Sequence, residues 1–218
     1  MTRIHLHRNG SLDLVTGAFA PKLLTRGVAS ARVALVGARA LLLAGDDVRI
    51  DVSVAEGCTL ELVEVAGTVA HDGRGGPAST WTTTVDVAPG ARISWAGEPF
   101  VVADGAEVTR SLDVSLGPGA VAELRETFVL GRTGERGGSL RSTTRVDLAG
   151  KPLLVEDLDL TVDAVRRSPA VLGTARCLDT LSRFGERFEH PDALQLQGPG
   201  TLLRWLGTDQ HRSPVPSP

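Results

Sequence analysis

A strand–turn–strand motif occurs three times in this 218-residue chain. Val52-x-Val54-x-x-Gly57-x-x-Leu60-x-Leu62 returns as Val85-x-Val87-x-x-Gly90-x-x-Ile93-x-Trp95, and again as Val114-x-Leu116-x-x-Gly119-x-x-Ala122-x-Leu124. Apolar and polar residues alternate on both sides of each glycine. A period of two sends one row of side chains into a core and the other into water. Pro89-Gly90 and Pro118-Gly119 suit the two central positions of a type II turn, where Pro presets φ and Gly supplies φ > 0. The glycines stand 33 and 29 residues apart. A hairpin recurring at that interval buries a continuous core when its copies stack. The expectation is an all-β chain, mainly β with a few short helices, built as stacked hairpins in an elongated two-layer or solenoid-like array. An ordinary sandwich whose turns converged on one sequence is the alternative.

The alternation continues through Val48–Val54, Thr59–Val65, Thr80–Val87, Glu107–Leu116 and Leu140–Leu148. Glycine-rich stretches at His71–Ala78 and Gly131–Gly138 interrupt it as loops. Ala164–Gly185 is less regular and has room for a short helix, and Thr201–Leu206 reads as a short apolar helical turn. No linker divides the chain, so residues 1–206 are expected to form a single domain. Residues 207–218, with Pro214, Pro216 and Pro218, are expected to be a disordered tail.

Charge and composition remove several function classes. Twenty-three basic against 26 acidic side chains give a net charge of −3, without the clustered basic face of a nucleic-acid binder. Aromatic residues make up 4% and tyrosine is absent, which leaves little for base stacking. The longest apolar stretch, Ala40–Ala44, falls far short of the roughly 20 residues of a membrane span. The first residues show no apolar run of a secretory signal, so a soluble, cytoplasmic protein is expected. Cys58 and Cys177 cannot make a disulfide framework. Both read as buried structural thiols.

The residues that carry chemistry are scattered. His5 and His7 face one side of a strand, but two histidines make a weak metal site. The repeat strands contain no histidine, which argues against a metal-dependent β-barrel enzyme. His71-Asp72 lies in a loop, and no Gly-x-Ser-x-Gly accompanies it. The Gly131–Gly138 loop lacks the Gly-Lys-Ser/Thr ending of a phosphate loop. Glu123, Glu126 and the run Glu156-Asp157-Leu158-Asp159 supply carboxylates without a companion that marks an acid–base pair. No catalytic residue and no tightly bound cofactor are expected, and the chain reads as one that works by binding.

The order of segments carries a resemblance. Ala44-Gly45-Asp46-Asp47 precedes the first motif, and Val87–Phe100 ends in Glu98-Pro99-Phe100. Asp104-Gly105-Ala106 and Leu112-x-Val114-x-Leu116 follow. Next come Glu126-x-x-Val129-Leu130-Gly131-Arg132 with Gly134-Glu135, and then Ser142–Leu160. Over roughly residues 20 to 205 the chain resembles the urease accessory protein UreD (UreH) family. The resemblance implies a non-catalytic urease maturation factor, a scaffold or chaperone that joins the urease apoprotein to UreF and the GTPase UreG for GTP-dependent nickel insertion. It also implies a route for transient nickel passage, for which weak, exchangeable ligands such as carboxylates, carbonyls, water and occasional His would serve, with no metal ligand assigned to a particular residue. Glu98, Arg132 and Glu135 match the family's motifs and become candidate partner-interface residues. The competing reading, a small-molecule binder or enzyme on a double-stranded β scaffold, requires a closed pocket lined by several polar groups.

Overall fold

The computed structural model describes every residue from Met1 to Pro218. Its strands are β1 (Thr2–Leu6), β2 (Leu12–Val15), β3 (Phe19–Arg26), β4 (Ser30–Gly37), β5 (Asp47–Val54), β6 (Thr59–Glu64), β7 (Thr68–Ala70), β8 (Ser79–Val87) and β9 (Arg92–Ala96). They continue as β10 (Phe100–Val102), β11 (Glu107–Leu116), β12 (Val121–Leu130), β13 (Ser139–Leu148), β14 (Lys151–Asp159), β15 (Cys177–Phe184), β16 (Ala193–Gln195) and β17 (Gly200–Gly207). One short helix, α1 (Asp163–Arg166), precedes β15.

Two sheets face each other. The first runs β14-β13-β11-β8-β5-β1-β2, and the second runs β16-β17-β15-β12-β9-β6-β4-β3, with β10 paired to β12 and β7 to β10. The strands in the middle of both sheets are parallel, and each sheet ends in strands that run the other way. The expected all-β, two-layer, solenoid-like array is what the chain forms.

The sequence repeat is the register of the sheets. Val52 lies beside Val85 and Val85 beside Val114 in the first sheet, while Leu62 lies beside Trp95 and Trp95 beside Leu124 in the second. The stacked valines are all buried, as are Leu62, Trp95 and Leu124 on the facing sheet. The turn glycines have φ of 70° at Gly57, 65° at Gly90 and 69° at Gly119. The unit, however, is an arch and not a hydrogen-bonded hairpin, because β5 belongs to one sheet and β6 to the other. Each strand takes its hydrogen bonds from its own copy in the next unit, which a parallel ladder permits over any length. The apolar rows of the two strands then meet across the core instead of lying side by side. One cluster of 42 buried residues fills that space.

A methyl group at Gly119 would meet no atom within 4 Å, so only the left-handed backbone would resist it. Gly119→Ala is therefore expected to cost about 1–2 kcal/mol in urea denaturation. A cost near zero would mean that this turn relaxes to another type.

One local expectation changes. Thr201–Leu206 is strand and not a helical turn, for β17 pairs with β15 along its whole length. Its first half, through Leu203, is buried on both faces, whereas Leu206 near its end is 45% exposed. On the outer face Leu203 packs with Leu181 and Val215 in a separate small cluster. The irregular Ala164–Gly185 stretch contains most of α1, then turns, then β15. The residues after Gly207 run back over the second sheet, with Val215 only 5% exposed. Cys58 and Cys177 are both buried and free.

Candidate functional site

Charged side chains occupy inward positions of the alternation at a few places, and these places coincide. On β6 the inward row is Leu60, Leu62 and then Glu64. On β11 it includes Val108, Arg110 and Leu112, and on β12 Leu124, Glu126 and Phe128. Glu64, Arg110 and Glu126 line a cavity between the sheets, together with Trp81, Thr83 and Trp95. Its volume of about 30 Å³ holds a water or two. The roughly 300–1,000 Å³ pocket of a small-molecule site is an order of magnitude larger.

The Arg110 guanidinium lies 5.1 Å from the centre of the Phe128 ring, 5.5 Å from Phe100 and 5.6 Å from Trp81. Its Nη1 donates to Glu126 Oε1 at 2.5 Å. Cation–π attraction in a desolvated setting adds to that charge-assisted bond. Glu64 has no arginine bonded to it. Trp95 Nε1–H donates to its Oε1 at 3.1 Å and the Glu98 backbone N–H to its Oε2 at 3.0 Å. Burial raises the Glu64 carboxyl from its ordinary 4.5 to about 7, against the pull of the Glu98 N–H, the Arg110 charge and the Trp95 N–H. At neutral pH this interior carboxyl is therefore held near the midpoint of its titration.

A second small cavity begins on the far side of Glu126, where Glu156 on β14 and Arg204 on β17 face each other. They form a bidentate pair, at 2.7 and 2.8 Å, between the two sheets. Glu126 lines both cavities. A row of single carboxylates thus runs between the sheets, most of them matched by an arginine. Nowhere do three or more His, Cys, Asp or Glu side chains gather closely enough to hold a metal ion.

The candidates Glu98, Arg132 and Glu135 do not come together. Glu98 is exposed beside the first cavity, and its backbone supplies one of the bonds to Glu64. Arg132 and Glu135 bond to each other in the loop after β12. Glu135 accepts from Arg132 Nε at 2.8 Å, from the Arg132 backbone N–H at 2.8 Å and from the Asp104 backbone N–H at 3.2 Å. The Arg132 side chain, then those two N–H groups, hold the Glu135 carboxyl down at about 2. The pair fastens this loop to the turn after β10. His5 and His7 face carboxylates of their own, Asp51 at 3.0 Å and Asp13 at 2.9 Å.

The family model described as UreD urease accessory protein matches residues 19–209. The chain belongs to the UreD urease accessory protein family. It is 48% identical over 206 residues to urease accessory protein UreD 1 of Streptomyces griseus, covering 93% of this chain and 80% of that one. With UreD of Frankia alni it shares 42% identity, covering 81% of this chain and 68% of the relative. With UreD of Frankia casuarinae it also shares 42%, over 74% of this chain and 54% of the relative. As a UreD family member the chain carries its inward charges on the repeat strands themselves, so the core that holds the fold together also holds the polar track. No helix is long and apolar enough to cross a membrane.

Proposed function

We propose that the chain is a non-catalytic urease maturation factor of the cytoplasm. It joins the urease apoprotein to UreF and, through that complex, to the GTPase UreG, for GTP-dependent nickel insertion. Family membership along nearly the whole chain carries this reading. The interior supports it: the carboxylates of Glu98, Glu64 and Glu126 adjoin one cavity, and Glu126 and Glu156 the next. Single oxygen ligands bind a divalent cargo weakly and exchange it, whereas a Cys/His cage traps it. No group of the chain holds a cofactor tightly, and nickel passes as cargo.

Deleting this gene from a co-expressed urease operon is expected to leave assembled urease low in nickel and nearly inactive, with both restored by the gene in trans. Metal analysis of the purified enzyme reads the result. Unchanged nickel content without the gene would remove the maturation role.

A further inference from the structure

Away from the interior track, the loop between β12 and β13, α1 and the residues that follow α1 enclose an open groove of about 500 Å³. Arg136, Arg166, Arg167 and Arg176 line it against one acid, Asp163. Asp163 serves both Arg166 and Arg167. Arg166, only 8% exposed, also donates to the carbonyls of Gly137 and Gly138 at 3.2 and 2.7 Å. Arg176 donates to the carbonyls of Gly131 and Arg132, and its buried Nε–H has no partner. Carbonyls satisfy donors without cancelling charge. The groove therefore keeps an excess of positive charge in a chain whose net charge is −3. A second groove of about 460 Å³ continues from Arg176 toward Arg132 and His211.

Hydrogen bonds join the walls of the groove to each other. Arg166 ties α1 to the loop, and the Gly131 and Gly138 N–H groups both donate to the Val102 carbonyl, at 2.7 and 3.1 Å. Side chains already ordered lower the cost of association. The groove is also partly apolar: exposed Pro169 and half-buried Ala175 line it over the buried Leu130 and Leu172, and Val162 and Val165, next to Asp163 and Arg166 in the chain, are 54% and 47% exposed. A compact anion such as phosphate gains nothing from apolar surface or from arginines spread along a trough. An extended chain with alternating carboxylate and aliphatic side chains uses both.

We propose that the groove between the 131–138 loop and residues 163–176 docks an acidic, aliphatic-rich segment of a protein partner, with its carboxylates on Arg136 and Arg167. This docking is separate from nickel handling, and its test reads binding alone. The full chain is titrated into a short fluorescein-labelled peptide of alternating Glu and Leu, and anisotropy is followed. Saturable binding is expected, weakened at least about tenfold by Arg136→Glu with Arg167→Glu and weakened by added salt. Both side chains are exposed, so melting curves should match the parent. A control reversal on β4 and β5, Arg32→Glu with Arg49→Glu, should leave binding intact. The proposal is overturned if the peptide does not saturate, or if the groove variant binds like the parent. It is equally overturned if the control reversal weakens binding as much, or if tripolyphosphate displaces the peptide more readily than an unlabelled Glu–Leu peptide does.

Discussion

Glu64→Gln is expected to flatten a stability curve that otherwise falls as the pH rises from about 4.5 to about 7. Below that window the Glu64 carboxyl is protonated in both the folded and the unfolded chain, and contributes nothing to the pH dependence. Within it the unfolded chain releases the proton near 4.5 while the folded chain keeps it to about 7. The folded state then binds more protons, so stability falls with rising pH. Above the window the full difference, about 3 kcal/mol, stands against the fold. Glutamine carries no such titration. Its amide oxygen keeps one of the two N–H donors from Trp95 and Glu98, and its NH₂ faces the other, a loss of about 1 kcal/mol. The variant should therefore be less stable than the parent near pH 5 and more stable near pH 8, with the curves crossing between. Urea denaturation across that range measures it, and parallel curves would show that Glu64 ionises as it does in water.

Asp179→Ala should be the most damaging single truncation on the second sheet. Asp179 is 0% exposed. It accepts from Arg125 Nε at 3.1 Å, from Arg125 Nη2 at 2.7 Å and from the Thr127 hydroxyl at 2.8 Å. Arg125 Nη1 also donates to Ser217 Oγ at 3.2 Å, so the C-terminal residues help to cover the pair. Removing one member of a buried ion pair strands the other, at a cost of about 3–5 kcal/mol, against a typical total of roughly 5–15 kcal/mol for a domain. Adding Arg125→Met to the alanine variant should recover part of the loss, because no charge is then left unpaired. A loss below about 1 kcal/mol would mean that Arg125 simply swings into water.

The repeat was legible because it is a property of backbone and packing together. Val52, Val85 and Val114 align in the sequence and touch in space for the same reason, the recurring glycine turn. Whether the strands of a unit bond to each other or to their copies was not legible, since alternation marks a strand's two faces and says nothing of its neighbour. The interior charges were missed through parity. In Thr59–Val65 an even count places Glu64 with Leu60 and Leu62, facing inward, yet the polar letter between two valines suggests the water side. Arg110 and Glu126 carried the same signal, a charge on the apolar row of a strand. Asp179 carried none, because the tail that buries it lies more than thirty residues further along the chain. The motif pair Arg132 and Glu135 was visible as a motif, but its bonds to the turn at Asp104 depend on how the units stack.

A ladder that joins each arch to the next in parallel has no internal reason to stop at the end of one molecule. At one end of the stack the outermost strands are β2, of four residues, and β3, which carries Pro21 and Lys22. At the other they are β16, of three residues, and β14, which carries Lys151 and Pro152. The chain's only two lysines thus each stand beside a proline on a terminal strand. Proline withholds a ladder donor, lysine resists being covered, and a very short strand offers little to copy. Together with the reversed direction of the last strands, they act as stoppers on a self-templating column, and keep what could grow as a fibre the length of a single chain.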